Sequence, residues 1–170
     1  MGIQSAGILL FRHGEKGLQV MLVHPGGPFW ARKDAGSWSI PKGLIEEGEN
    51  LLDAAKREFK EETGFAVDGD FIKLGELEQP SKKVVHAWAL EGDLEESKVK
   101  SNTFSLEWPK GSGNLSEFPE VDKACWFDAK EAKKKILRGQ ASFIEKLEKI
   151  LIHKAEEKRF DDKFKQTRLI

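Results

Sequence analysis

The chain contains 170 residues, of which 34% are charged and 39% hydrophobic, and its formal net charge at pH 7 is −1. This length fits one domain with its own core, and a nearly neutral chain has no bulk electrostatic attraction to a nucleic acid polymer or a membrane surface. No apolar run approaches the length of a membrane span, the N-terminus lacks a secretory signal pattern, and the only cysteine, Cys125, excludes an internal disulfide. We therefore expect one cytoplasmic domain over residues 1–170, monomeric or homodimeric, with its core at about 5–151 and a charged tail at 154–170.

Apolar runs and turn signals predict strands at the start of the chain. The runs Ser5–Phe11 and Gln19–His24 flank a polar turn, which is typical of a hairpin. A loop rich in Gly and Pro, Pro25–Trp38, follows them. A short strand at Trp38–Ile40 is predicted to lead into the next helix.

The segment Asn50–Thr63 is predicted to form a helix, since it lacks Gly and Pro and consists mainly of Leu, Ala, Lys, Arg and Glu. Gly64 stands where a left-handed residue commonly ends a helix. Leu52, Ala55 and Phe59 fall on one face, which we expect to pack on the core.

The second half of the chain is predicted to contain three strands and two helices. The strands are Phe71–Leu77, Val84–Leu90 and Val121–Phe127, and the helices are Asp128–Leu137 and Ser142–His153. The polar stretch Glu91–Pro119 reads as loop, with a possible short strand at Thr103–Trp108. From Lys154 the charged tail either frays or continues the last helix. Strands on both sides of one helix, followed by C-terminal helices, indicate the α/β class, with a mixed sheet in an α/β/α sandwich.

Three glutamates of the predicted helix share one strip of its surface. Glu58, Glu61 and Glu62 are spaced i, i+3 and i+4, and like charges at this spacing repel by roughly 0.2–0.5 kcal/mol per pair. They also lie toward the C-terminal end, where the helix dipole disfavours anions. A divalent cation such as Mg²⁺, which prefers carboxylate oxygens, would reverse this penalty. Arg57 could hold the cluster in place by pairing bidentately with Glu49 or with one of these carboxylates.

The residues from Gly43 to Phe65 read G-x5-E-x7-R-E-U-x-E-E-x-G-U, with U a bulky apolar residue. This segment resembles the Nudix box, and the resemblance extends less specifically from Ser5 to about Leu151. It implies the α/β/α fold and a hydrolase that cleaves nucleoside diphosphates linked to another moiety. It also implies a cofactor, Mg²⁺ with Mn²⁺ as a possible substitute, bound by Glu58, Glu61 and Glu62.

A further metal-binding or basic glutamate is implied near the end of the chain. Glu120 precedes Trp126 by six residues, an arrangement similar to that of MutT-like and diadenosine tetraphosphate hydrolase-like members. Glu117 is the local alternative. The general base remains open among Glu58, Glu61 and Glu120, because family members differ in the residue that accepts the proton.

The Gly/Pro-rich loop supplies several candidate residues for substrate recognition. In the Gly/Pro-rich loop, Trp30 or Phe29 could stack on a base while Arg32 or Lys33 holds phosphate. A packed aromatic with solvated charges is the structural alternative.

Two positions outside this loop are further candidates. Lys42 could contact phosphate or simply be solvated. His86, which shares a strand face with Trp88, could line the cleft or be satisfied within the fold.

Two family markers point to different substrates. Pro80 occupies a position quoted for ADP-ribose pyrophosphatases, whereas Ser81 and Lys82 stand where dinucleoside polyphosphate enzymes often have a tyrosine. The overall resemblance favours a dinucleoside polyphosphate or a nucleoside triphosphate. ADP-ribose and nucleotide sugars remain alternatives. A binding module without turnover is a third, although such members usually have eroded boxes.

Overall fold

The computed structural model describes residues 2–168, and in that range the chain forms eight strands and three α-helices. The strands are β1 (Gln4–Gly14), β2 (Gly17–Pro25), β3 (Lys42–Leu44), β4 (Ile72–Glu78), β5 (Val84–Glu91), β6 (Thr103–Glu107), β7 (Leu115–Pro119) and β8 (Val121–Asp128). The helices are α1 (Leu51–Thr63), α2 (Ala129–Lys135) and α3 (Ala141–Thr167). None of these helices has the length and apolarity needed to cross a membrane.

Six strands form one mixed sheet. The strand order is β4-β5-β1-β2-β8, and the short β3 pairs with β1 on the β2 side. Only the β1–β5 pair is parallel among these strands. The remaining two, β6 and β7, form a separate antiparallel hairpin.

Side chains alternate across the sheet and build a core on each face. On one face Ala54, Ala55 and Phe59 of α1 pack against apolar residues of β1, β2, β5 and β8. On the other face, α2 and α3 cover the strands through residues that include Phe143 and Leu147. The predicted α/β/α sandwich with a mixed sheet and C-terminal helices is therefore confirmed.

The predicted strand Trp38–Ile40 is wrong. This segment forms only isolated bridges: Ser39 exchanges two backbone hydrogen bonds with Val23 of β2, whereas Trp38 bonds to Lys135 at the end of α2 and to Leu137 just after it. The strand that pairs here is β3, which begins two residues later.

One other element differs from the prediction: a second hairpin strand, β7, lies in the stretch predicted to be loop. Of the two alternatives for the charged tail, the structure shows the second, because the tail continues α3 as far as Thr167.

Candidate active site

Helix α1 is fixed at both ends by local hydrogen bonds. The Asn50 side chain accepts from the N–H groups of Leu52 and Asp53, and Gly64 adopts the left-handed conformation (φ 82°) while its N–H bonds to Lys60 O at 2.7 Å. The predicted helix and its terminal glycine are confirmed. Burial of the apolar face sets the rotation of the helix and brings its glutamates toward β3.

Glu58 is the only one of these glutamates whose residue surface as a whole is buried in the described part of the chain. Its side chain lies directly over Gly43 of β3, where a β-carbon would come within 2.0 Å of Oε2. Its Oε1 accepts a hydrogen bond from Arg57 Nη1 at 2.7 Å. Burial raises the pKa of Glu58, the Arg57 charge opposes this rise, and the charges of Glu61 and Glu120 add to it.

Arg57 ties the cluster together. Its Nε and Nη2 donate to both oxygens of Glu49 at 2.9 Å each, and Nη2 also donates to the Leu44 carbonyl. A longer contact of 3.3 Å joins Nη1 to Glu61. The hydrogen bonds from Arg57 lower the pKa of Glu49 to about 2, so this carboxylate stays ionised at physiological pH. The guanidinium thus pairs with Glu49 and with the box carboxylates at once.

Glu62 points toward β3. Its Oε2 accepts a hydrogen bond from the Lys42 N–H at 3.0 Å. Burial raises the pKa of Glu62 to about 8, opposed by the Lys42 charge and reinforced by Glu58 and Glu120. The residue keeps some exposed surface, but its carboxylate lies deep enough for desolvation to dominate.

Glu120 is held beside the helix by the backbone. Its N–H donates to Asn102 O at 2.9 Å, and the Asn102 N–H donates to the Glu61 carbonyl at 2.8 Å. Burial and the Glu61 charge raise the pKa of Glu120. Glu117 instead lies on β7, where it accepts a long hydrogen bond of 3.4 Å from Thr103.

The carboxylates have the chemistry of a site for a hard cation, although their present contacts do not form a closed cage. Within residues 2–168, no three His, Cys, Asp or Glu side chains are already gathered as a metal-binding group. The Glu58 and Glu61 carboxylates accept hydrogen bonds from Arg57, and the Glu62 carboxylate accepts one from the Lys42 backbone N–H. Mg²⁺ commonly keeps several waters and uses only one or two carboxylates together with substrate phosphates, so an open set of acidic groups suits it.

A small cavity adjoins this cluster. Trp30 and Lys42 both line it, together with Val121, which follows Glu120, and its volume is about 170 Å³. The Lys33 ammonium lies 4.8 Å from the centroid of the Trp30 ring.

Two of the other predicted substrate residues lie elsewhere. Arg32 is exposed and has no ion-pair partner in the described part of the chain. His86 is mostly buried, and its ring is paired with Gln4 at 3.0 Å and Glu76 at 3.4 Å. His86 and Gly43 flank the same β1 residue, Ala6, and thus share a row of the sheet.

Lys83 is a residue that sequence reasoning missed. It is half-buried at the start of β5, and burial and the Lys42 charge lower its pKa while Glu62 and Glu58 oppose the change. The adjacent Lys82 is exposed and pairs with Glu78. Nothing in the sequence distinguishes these two lysines, because only the turn geometry decides which one turns inward.

The family is established by comparison with known proteins. A family model described as the NUDIX domain matches residues 2–147. Nudix hydrolase 10 of Arabidopsis thaliana is 48% identical over 40 residues, which cover 24% of this chain and 14% of that protein. The RNA pyrophosphohydrolase of Bartonella henselae is 42% identical over 65 residues, covering 36% of this chain and 35% of that protein. The matched segments thus span about a third or less of these relatives.

Solved structures share the fold. A C. elegans Ap4A hydrolase in a binary complex superposes with a TM-score of 0.62 at 22% identity, covering 88% of this chain and 98% of that one. The NUDIX domain of Shewanella oneidensis NrtR, complexed with ADP ribose, gives 0.61 at 16% identity, covering 89% of each chain. At these identities the likeness establishes the architecture alone.

Proposed function

Because this chain belongs to the Nudix family, we propose that it is a hydrolase of phosphorus-containing anhydrides, and specifically a Mg²⁺-dependent pyrophosphohydrolase of dinucleoside polyphosphates or nucleoside triphosphates. The observation that carries this proposal is the grouping of four carboxylates beside β3, on the face of the sheet that α1 covers. Glu58, Glu61 and Glu62 come from α1, and Glu120 comes from the loop before β8. The pKa values of Glu58, Glu62 and Glu120 are each raised first by burial and further by the charge of at least one other carboxylate of this group.

The carboxylates of Glu58, Glu61, Glu62 and Glu120 would hold the cofactor, Mg²⁺, for which Mn²⁺ would be a substitute. Such an ion, when bound, neutralises charge on the pyrophosphate and makes water easier to deprotonate. Arg57 orients Glu58 and Glu61 through its hydrogen bonds, and its bidentate pair with Glu49 fixes the guanidinium.

The chain's own groups then handle the proton and the phosphate charge. Glu58, Glu61 or Glu120 accepts the water proton on a carboxylate oxygen as water attacks phosphorus. Lys42 and Lys83 supply positive charge beside Glu62, where an extended phosphate chain would lie.

The substrate class follows from the groups that surround the cavity. Trp30 offers a ring for a nucleobase beside Lys42, and Lys33 lies over the same ring. Arg32 and Lys33 on the exposed loop suit additional phosphates. His86 holds the sheet at the cleft through Gln4 and Glu76 rather than contacting substrate directly.

The test is hydrolysis by the purified protein in Mg²⁺ of diadenosine tetraphosphate, ATP, ADP-ribose and an RNA with a 5′-triphosphate, with products separated by chromatography. We expect turnover of diadenosine tetraphosphate or ATP, and none by Glu58→Gln. A protein that binds these nucleotides without cleaving any of them would be a non-catalytic Nudix module.

An ADP-ribose or nucleotide-sugar pyrophosphatase is the second candidate. Pro80 in the β4–β5 turn favours it, although turns favour proline for their own geometry. A marked preference for ADP-ribose in the same panel would select this alternative. Turnover of the RNA alone would instead align the chain with the RNA pyrophosphohydrolases among its relatives.

A further inference from the structure

The β6–β7 hairpin is anchored beside the candidate active site. At its base, Lys100 N–H bonds to Thr63 O at 3.0 Å and Asn102 N–H bonds to Glu61 O at 2.8 Å, so the hairpin is tied to the last turn of α1. The hairpin does not extend the main sheet. An isolated two-stranded hairpin is marginally stable by itself, so its position depends on what it packs against.

The Gly/Pro-rich loop packs against this hairpin. The Gly26 N–H donates to Glu120 O at 3.0 Å, and a β-carbon on Gly26 would lie only 1.9 Å from Pro119 O. A β-carbon on Gly27 would lie 3.0 Å from the Phe104 ring, a looser approach that is still tighter than ordinary contact. The two glycines therefore let the loop lie flat on the hairpin, and the two segments form one wall next to Glu120.

Two aromatic side chains meet on the outer part of this wall. Phe29 from the loop and Trp108 from the hairpin lie edge to face, with ring centroids 5.5 Å apart. They are 60% and 37% exposed, respectively, so the pair presents ring surface to solvent. Only two residues lie between Gly26 and Phe29, which places the Phe29 backbone at most about 11 Å from that of Gly26, the residue bonded to Glu120.

From this arrangement we infer that Phe29 and Trp108 form a second base-binding subsite, which takes the distal nucleobase of a dinucleoside polyphosphate. The inference rests on the proposed function, since the carboxylates must hold the phosphate chain between the two bases. The cavity beside Trp30 has room for one ring system, and its volume of about 170 Å³ leaves no space for a second nucleoside. Both segments also carry positive charge, because Lys33 lies in the same loop as Phe29 and Lys110 lies in the same hairpin as Trp108. A nucleotide with one base fills only the inner position.

The experiment compares diadenosine tetraphosphate with ATP, which share the inner base and differ in the outer one. Trp108→Ala and Phe29→Ala should raise KM for diadenosine tetraphosphate about fivefold or more, the lower range for base stacking on an aromatic residue. KM for ATP and both kcat values should stay within about twofold. Trp108→Phe, which keeps a ring, should restore most of the difference. Leu115→Ala is the matched control, because Leu115 is an exposed apolar residue of the same hairpin, 77% exposed.

The outcomes separate this inference from the proposed function. An equal rise in KM for both substrates, or no change for either, would overturn the outer subsite while leaving the hydrolase intact. If the wild-type protein cleaves ATP but not diadenosine tetraphosphate, the inference is also overturned. If the wild-type protein cleaves neither substrate, the proposed substrate class is wrong. The outer subsite is then tested by measuring the binding of both nucleotides by calorimetry. Tighter binding of diadenosine tetraphosphate than of ATP, lost in Trp108→Ala, would support it, and equal binding would overturn it.

Discussion

Replacing Gly43 with alanine should remove most of the activity while leaving the fold in place. A β-carbon at this position would lie 2.0 Å from Oε2, 2.2 Å from Cδ and 2.5 Å from Oε1 of Glu58. Ordinary contact requires at least roughly 3.4 Å, so the carboxylate must move by more than about 1 Å. A misplacement of about 1 Å can cost about 100-fold in rate, and we expect kcat to fall by that factor or more. The clash is with the movable end of a side chain, so the thermal unfolding midpoint should change little.

The assay is steady-state hydrolysis in saturating Mg²⁺, with thermal denaturation of the same preparations. Gly139→Ala is the control, because its β-carbon would approach the side chains of Gln79 at 3.3 Å and Pro80 at 3.6 Å and none of the carboxylates. Wild-type kcat in Gly43→Ala would refute the argument that the position of Glu58 limits the reaction. A loss of activity matched by a large drop in the unfolding midpoint would assign Gly43 to stability instead.

Four further outcomes are expected. Activity should require Mg²⁺ or Mn²⁺, and full turnover in excess chelator would exclude the metal mechanism. Glu58→Gln should lower kcat by several orders of magnitude and Glu120→Gln by less, whereas near-normal turnover of Glu58→Gln would contradict its role. The pKa of Glu62 is raised to about 8, so the metal-free folded protein keeps a proton on this residue that the unfolded chain releases above about pH 4.5. The contribution of Glu62 to the free energy of unfolding therefore falls as the pH rises from about 4.5 to 8. A cation must displace that proton below pH 8, so the Mg²⁺-induced rise in unfolding midpoint should be larger at pH 8.5 than at pH 6, and Glu62→Gln should flatten the difference. Trp30→Ala should raise KM about tenfold with kcat nearly intact, measured on the best substrate, and an unchanged KM would make Trp30 structural.

The helix and its charged strip could be predicted because their signals are local. The composition of α1 and the glycine at position 64 are properties of the segment itself, and the structure reproduces the helix and its terminal glycine. The i, i+3 and i+4 spacing of the glutamates is likewise a property of the helix itself. The pairing of Arg57 with Glu49 and with the box carboxylates could be predicted for the same reason, because these residues are close to one another in sequence.

Contacts between residues that are distant in sequence could not be predicted in the same way. Lys83 and Lys82 are equivalent in sequence, and the β4–β5 turn alone separates a half-buried lysine from an exposed one. The second hairpin strand, Leu115–Pro119, lies beside Gly and Ser residues that read as loop, and only pairing with β6 reveals it. The segment at Trp38 has the composition of a strand but bonds to the end of α2, a partner almost 100 residues away in sequence.

The electrostatics of the cluster indicate what a bound cation would replace. Arg57 compensates Glu49, Glu58 and Glu61 through hydrogen bonds of fixed geometry, and it cannot lose its proton at physiological pH. Glu62 accepts a hydrogen bond from a backbone N–H and lies beside the charges of Lys42 and Lys83, but no guanidinium pairs with it, and it holds its own proton instead. A divalent ion therefore displaces the proton on Glu62 at lower cost than it displaces Arg57. We expect the guanidinium to keep its bonds to Glu49 when the site is filled, so that the arginine remains the fixed support against which the carboxylates are arranged.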